Sequence, residues 1–352
     1  MKIVLPFHDP LNRKITNPVV SGGTEMFCKL INDNFDTEIV HLEHTESLKK
    51  RGANSKKQRE NFQKSIINKA EECKADIIVS NFPFSNFSGA IISKSHIPVM
   101  YVDHVCFPFP GAIKSMNRLV KNGHSVFLVS KFQQNFYDKM CSRYEMKNIP
   151  YDFIIPACCK DKPKILDIEY DCGTIGRCDT FKSPFKLKEL TKDKNLKTLV
   201  ITSKPTLEKN FKYYEKNKNW NDTIWDQPHK KVIEYLSKCG SYFSTLPKET
   251  WGITVLEALS CGIPIILNSD KNGNHNSEII PVNSNHFKKI PFDDKDALVS
   301  AIKQFEKIDR KEIQEITLDK YSLENWKNHF INCISKTIDN FKRSNYGSKI
   351  RI

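Results

Sequence analysis

The stretch ETWGITVLEALSCGIPIIL, residues 249–267, carries two carboxylates, Glu249 and Glu257, with seven residues between them in an otherwise apolar run. An unpaired buried carboxylate is costly, so each needs a partner, either another side chain or a ligand. Carboxylates accept hydrogen bonds from paired hydroxyls, such as those of a ribose or a hexose. A helix is expected to start near Trp251–Gly252, which leaves Glu249 in the loop before it and Glu257 in its early turns. The N-terminus of such a helix suits phosphate oxygens. The plainer alternatives are a helix-N-terminal acid for Glu249 and a solvated outer face for Glu257. Leu256, Ala258 and Leu259 flank Glu257 and speak against full solvation.

Three further groups have the same character. Arg177 and Lys182 follow the run DCGTI, and two cations at a strand-to-helix turn suit a diphosphate, Arg as a planar fork and Lys as a point charge. Asp103 and His104 follow IPVMYV, where an acid and an imidazole can orient a hydroxyl or handle a proton. Gly22 and Gly23 open a helix after the first strand, where glycine allows close backbone approach to a ligand. Each also has an ordinary reading: solvated cations, a capping Asp in a turn, a glycine turn. No GxGxxG fingerprint is present.

The elements that must position these residues alternate. KIVLPF, TEIVHL, ADIIVSNF, IPVMYVDH and HSVFLVS are short apolar runs, as buried parallel strands are, with helical segments such as GAIKSMNRLVKNG and KFQQNFYDKM between them. A second alternation starts near residue 170, through DCGTIGR, LKTLVITS, SYFSTL and IPIILN. Its helices are SPFKLKELTKD, QPHKKVIEYLSKCG closed by Gly240, TWGITVLEALSCG and KDALVSAIKQFEKI. The pattern lapses at residues 155–164, and residues 322–344 read as one long helix. This rhythm predicts two doubly wound α/β domains, in which ligands bind at the strands' C-terminal ends. Every group named above follows a strand.

Composition narrows the class. A chain of 352 residues with 39% apolar and 27% charged residues is globular and large enough for two domains. No apolar run approaches a membrane span, no signal-peptide pattern opens the chain, and a cytoplasmic location is expected. Eleven cysteines without a CxxC spacing predict reduced, mostly buried thiols rather than disulfides or zinc. The net charge of +14 is either an electrostatic footprint for a polyanion or the Lys- and Asn-rich bias of an AT-rich genome.

Together, the early GGTE, the DH after a mid-domain strand, GRCDTFK and ETWGITVLEALSCGIPIIL resemble the retaining nucleotide-sugar glycosyltransferases of the two-domain GT-B architecture, family-4 group. The resemblance spans most of the chain. It implies two Rossmann-like domains facing each other across a cleft, with a C-terminal helix crossing back: residues 1–160 for the acceptor, 161–325 for the nucleotide sugar, and 326–352 packing on the first. It implies a UDP-sugar donor, UDP-glucose by default, with no metal and no cofactor required. Glu257 would bind the ribose hydroxyls, Glu249 the donor sugar, and Arg177 and Lys182 the diphosphate. Gly22 and Gly23 would approach the distal phosphate. Thr250, Trp251, Gly252 and Ile253 would line the donor. His104 would meet the transferred sugar at its 6-hydroxyl, with Asp103 beside it. Catalytic roles thus fall to Asp103, His104 and Glu249. The chain departs from the family at Ser183-Pro184, where the Lys is usually followed by Gly. Asp293-Asp294 reads as a capping pair, not a metal site.

For the acceptor, residues 48–64 hold seven cations and one acid, after the second strand. Lys49, Lys50, Arg51, Lys56, Lys57 and Arg59 would form a cationic loop suited to a phosphate backbone, or else a solvated helix face. The chain also resembles the retaining phage DNA glucosyltransferases that modify 5-hydroxymethylcytosine, in the Arg-to-Lys spacing, the acid–His pair and the basicity. That implies duplex DNA as partner, a flipped target base, a monomer, and the cytoplasm of an infected host. Phe107 and Phe109, just after His104, would line that base's pocket or wedge the stack, or else belong to the core. The alternatives are a cell-envelope glycosyltransferase and an inactive nucleic-acid-binding relative.

Overall fold

The computed structural model describes residues 1–8, 23–42, 53–81, 89–104, 110–205, 208–246, 251–271, 278–280 and 284–344. It divides into two compact units, Met1–Ala157 with Trp326–Ile352, and Cys158–Asn325.

In the first unit, β1 (Lys2–His8), α1 (Gly23–Asn34), β2 (Asp36–Leu42), α2 (Ala53–Glu72), β3 (Ile77–Ser80), α3 (Gly89–Ile92), β4 (Val99–Asp103), α4 (Pro110–Lys121), β5 (Ser125–Leu128), α5 (Lys131–Arg143) and β6 (Asp152–Phe153) alternate along the chain. The sheet runs β2-β1-β3-β4-β5-β6 with every pair parallel. Strands β3, β4 and β5 are buried throughout, as both-face coverage demands. Val4, Ile78, Val99, Tyr101 and Val126 from the sheet pack against Phe62, Ile66, Ile113, Met116 and Leu119 from α2 and α4.

The second unit contains β7 (Cys172–Ile175), α6 (Lys186–Thr191), β8 (Thr198–Thr202), α7 (Phe211–Asn217), β9 (Thr223–Trp225), α8 (His229–Leu236), β10 (Tyr242–Ser244), α9 (Ile253–Ser260), β11 (Ile265–Asn268), β12 (Phe287–Ile290), α10 (Lys295–Gln304) and α11 (Arg310–Lys320). Its sheet is also all parallel, in the order β12-β11-β10-β7-β8-β9. The chain starts in the middle at β7, winds outward through β8 and β9, then returns to β10 and winds the other way. The strand order therefore reverses between β7 and β10, and in open α/β sheets that switch point is where ligands bind.

The last helix, α12 (Leu323–Arg343), packs on the first unit from Trp326 onward. The Trp326 indole donates to the Ile155 carbonyl at 3.0 Å and stacks on Phe330 at 5.2 Å. Phe330 meets Phe27 and Phe35, and Lys336 pairs with Asp152 at 2.7 Å.

The structure differs from the sequence reading in four places. The cationic stretch, read as a loop or else a solvated helix face, is helical from Ala53 onward. Strands β6, β9 and β12 and helices α7 and α11 were not anticipated. Helix α8 ends at Leu236 with Ser237 as its cap, so Gly240 does not close it. Of the Asp pair, Asp294 caps α10, accepting from Ala297 N at 2.9 Å. Asp293 instead turns to Asn268 and Lys186. All ten cysteines among the described residues are free thiols, buried or half-buried.

Candidate active site

Two loops of the second unit leave the switch point, one after β7 and one after β10. The first, residues 176–185, is organised by Asp179, a buried carboxylate. Its Oδ1 accepts from Lys182 N at 2.6 Å, and its Oδ2 lies 3.4 Å from Arg177 Nε. Asp179 N donates to the Arg177 carbonyl at 2.8 Å, and Ser183 N to the Asp179 carbonyl at 2.9 Å. One aspartate thus folds the loop and aligns the guanidinium, whose side chain stays 71% exposed. The loop turns at Ser183, with φ at +42°, in the left-handed region that glycine enters most easily. Its hydroxyl donates to the Thr180 carbonyl at 2.7 Å. At Ser183-Pro184, where the resemblance expects glycine, a serine carries this left-handed turn.

The second loop begins at Thr245, whose hydroxyl donates to the Lys182 carbonyl at 2.6 Å. That bond ties the two loops together at the floor of the switch point. Behind it, Asn268 at the end of β11 donates to the Thr245 carbonyl at 3.2 Å and to Asp293 Oδ1 at 3.0 Å. Tyr242 Oη lies 2.8 Å from Thr254 Oγ1 and 3.4 Å from the Ile175 carbonyl, linking the ends of β7 and β10 to α9.

Helix α9 starts at Gly252, with φ at +72° and no side-chain cap, and no acid occupies its first turn. The amides of a first turn have no partner within the helix, so this N-terminus keeps its capacity for an anion. Trp251 precedes it with its ring edge-on to Tyr321, centroids 5.9 Å apart. Its indole N–H is buried and has no hydrogen-bond partner. Glu257, one turn further, is 17% exposed, and its Oε1 sits 2.8 Å from His229 Nε2, at the start of α8. The carboxylate raises the His229 pKa above 6.5. Glu249 and Thr250 lie outside the described residues.

In the first unit, Asp103 ends β4 and is buried. Tyr137 Oη donates to its Oδ2, Gln133 Nε2 reaches the same oxygen at 3.3 Å and the Asp103 carbonyl at 3.0 Å, and Tyr101 Oη lies 3.4 Å from Oδ1. This carboxylate is a satisfied anchor between β4 and α5. His104 packs against Phe27, centroids 5.3 Å apart, and burial pushes its pKa down to about 4, so it stays neutral near pH 7. Gly23 begins α1, while Gly22 lies outside the described residues. So do Lys49, Lys50, Arg51, Phe107 and Phe109. Lys56, Lys57 and Arg59 fall on α2, where only the backbone is described.

The structure brings Arg177, Lys182, Trp251, Gly252, Ile253 and Glu257 to one switch point. It adds Asp179, Thr245 and His229, which the sequence reading missed. Asp179 lies inside the Arg-to-Lys spacing and was the findable one; His229 is 28 residues from Glu257 and carries no spacing signal.

Residues 169–317 match the family model described as glycosyl transferases group 1. Among solved structures, HepE of Anabaena in complex with UDP-glucose is 15% identical, with a TM-score of 0.67 over 95% of this chain and 99% of that one. Sucrose-phosphate synthase of Thermosynechococcus elongatus is 13% identical, with a TM-score of 0.66 over 99% of both chains. The lipopolysaccharide outer core galactosyltransferase WaaB is 14% identical, with a TM-score of 0.60 over 95% of this chain and 99% of that one. No curated protein matches the chain. The fold is thus that of the GT-B enzymes, two Rossmann-like parallel-sheet units. The class is glycosyltransferase, on the match of residues 169–317 to the group 1 family model.

Proposed function

We propose that the protein is a retaining glycosyltransferase that moves a hexose from a UDP-sugar to a hydroxyl of a carbohydrate acceptor. One observation supports the donor above all: the loop of Arg177 and Lys182 and the uncapped N-terminus of α9 with Glu257 meet at the sheet's reversal point, held by the Thr245–Lys182 bond. Arg177 and Lys182 take the diphosphate, the first-turn amides of α9 add to its stabilisation, and Glu257 accepts from the ribose hydroxyls. The resemblance assigns Glu249 to the donor sugar and Gly22 and Gly23 to the distal phosphate. UDP-glucose is the default donor, and HepE binds UDP-glucose in its solved complex.

In the reaction, the acceptor oxygen bonds to the anomeric carbon while the bond from that carbon to the diphosphate breaks. Asp103 already accepts from Tyr137 and Gln133, so it anchors the strand end beside His104 rather than acting as base. The acceptor proton passes to the leaving phosphate on the same face of the sugar. The resemblance assigns His104, neutral near pH 7, to the transferred sugar.

A carbohydrate acceptor is favoured because WaaB, whose name specifies lipopolysaccharide outer core, has the same fold over 99% of its length. The 5-hydroxymethylcytosine reading rests on the Arg-to-Lys spacing, the acid–His pair and the net charge, on Lys49, Lys50, Arg51, Phe107 and Phe109, outside the described residues, and on Lys56, Lys57 and Arg59.

The test is incubation with a panel of UDP-sugars and three acceptors, envelope glycans, free sugars and duplex DNA bearing 5-hydroxymethylcytosine, with mass spectrometry of the products. Sugar added to a glycan or free sugar is expected. Sugar added to the DNA nucleoside would replace the carbohydrate reading with the DNA one. Release of neither UDP nor product with any donor would overturn the donor assignment.

A further inference from the structure

We propose that His229 is a positioning residue for the nucleotide: it holds Glu257 by Oε1 and offsets that carboxylate's charge, so that the site accepts ribose hydroxyls beside an anionic diphosphate. The inference rests on the donor reading above and adds to it a residue from a different helix.

The geometry carries it. The Glu257 side chain is 17% exposed, and its chain neighbours Leu256 and Ala258 are buried. A carboxylate with one enclosed oxygen needs a donor there, and His229 Nε2 supplies it at 2.8 Å. His229 is the first residue of α8 and its side chain is 50% exposed, so it borders solvent while its ring reaches inward. With Oε1 occupied, the carboxylate is held in one orientation and Oε2 retains its lone pairs for hydroxyl donors. That is preorganisation: without His229, Glu257 must lose its rotational freedom when the nucleotide binds.

Charge gives the same residue a second role. Glu257 stands one turn into the helix whose N-terminus would receive the diphosphate, and a bare carboxylate there repels the ligand. An imidazolium at hydrogen-bond distance removes most of that repulsion. The groups acting on His229 are Glu257 on α9, Lys160 and Asp161 on the segment before β7, and the dipole of its own helix. Burial, Lys160 and the dipole disfavour the proton and Asp161 favours it, while the hydrogen bond and charge of Glu257 outweigh them, and the pKa lies above 6.5. The pair is therefore neutral overall below that pKa and singly negative above it.

Two variants separate this role from simple packing. His229→Gln can still donate one hydrogen bond but carries no charge, and His229→Ala does neither. Binding of UDP-glucose, GDP-glucose and ADP-glucose is measured by calorimetry at pH about 6 and about 8.5, with a thermal melt of each variant; these diesters do not titrate in that range. Wild-type protein is expected to bind its donor roughly fivefold tighter at the lower pH, equivalent to about 1 kcal/mol. His229→Gln should bind at intermediate strength with little pH dependence. His229→Ala should bind roughly tenfold more weakly than wild type at the lower pH and be as flat. If both folded variants match wild type at both pH values, the proposal fails while the donor reading stands. If wild type binds none of the three sugars, the donor reading falls and takes the proposal with it.

Discussion

Ser183 holds a backbone conformation that L-residues adopt at a cost, φ +42°, in the turn that presents Lys182. Ser183→Gly removes the steric penalty, although glycine loses more entropy on folding, and the net gain is expected to be about 0.5 kcal/mol. Ser183→Val, branched at Cβ, should cost about 2 kcal/mol and weaken donor binding as the loop distorts. Urea titrations of the two variants check the order Gly above Ser above Val; a Val variant as stable as wild type would contradict the strained turn. Asp179→Ala leaves the Lys182 N–H without its acceptor, and the donor KM should rise roughly tenfold, with a smaller change in kcat. Steady-state kinetics with the preferred UDP-sugar measure it. At this scale the sequence was legible where chemistry repeats at a spacing. Arg177, Lys182 and Glu257 could be singled out as candidates because cations and carboxylates stand out against apolar strands and helices. Asp179 and His229 were not, because their roles depend on a loop's path and on a neighbouring helix.

Among elements, the turn from α9 into β11 depends on one glycine. Gly262 has φ +74°, and a Cβ there would lie 2.2 Å from the Arg310 carbonyl oxygen, which belongs to backbone and cannot swing away. Arg310 itself is fixed: its guanidinium donates to the carbonyls of Leu166, Ser237 and Cys261 at 2.9, 2.8 and 3.1 Å. Gly262→Ala is therefore expected to cost more than about 2 kcal/mol, against the few tenths usual for a surface change. Equilibrium unfolding in urea reads it, and a loss below about 1 kcal/mol would mean that α11 moves aside easily. The elements that were legible are the central ones. Strands such as IIVS and VMYVD are continuous apolar runs because both their faces are covered. The missed strands β6, β9 and β12 are edge strands of two to four residues with no fully apolar run. FKKI in β12 carries two lysines. Helix α11 has a weak apolar stripe, and what marks it is the Asp309 cap, which accepts from Lys311 N at 2.8 Å.

For the whole molecule, the charge of +14 draws attention to acid, where it grows, and buried histidines set where stability is lost. His124 in the first unit is buried between Ser93, Val99 and Phe341. Its Nδ1 accepts from Val99 N at 3.2 Å, and its Nε2 lies 3.1 Å from the Ser93 carbonyl. The first contact requires a bare Nδ1 and the second a proton on Nε2, so the ring is the neutral Nε2–H tautomer. Burial lowers its pKa from 6.5 to about 4. The unfolded chain therefore binds a proton at His124 below pH 6.5 while the folded one does not until about pH 4. Stability must fall as pH drops through that window, by about 3 kcal/mol from this one group. His104, with its pKa also near 4 for the same reason, acts in the same direction and in the same unit. The first unit should thus be the acid-labile one, and hydrogen exchange followed from pH about 7 to about 4 should show β4 and β5 losing protection before β7 and β8. His124→Gln places an amide oxygen toward Val99 N and an amide N–H toward Ser93 without a titrating group. Its melting temperature should fall less steeply over the same interval than that of wild type. If the two curves run parallel, His124 is not what acid attacks, and the assignment of the acid lability to it fails.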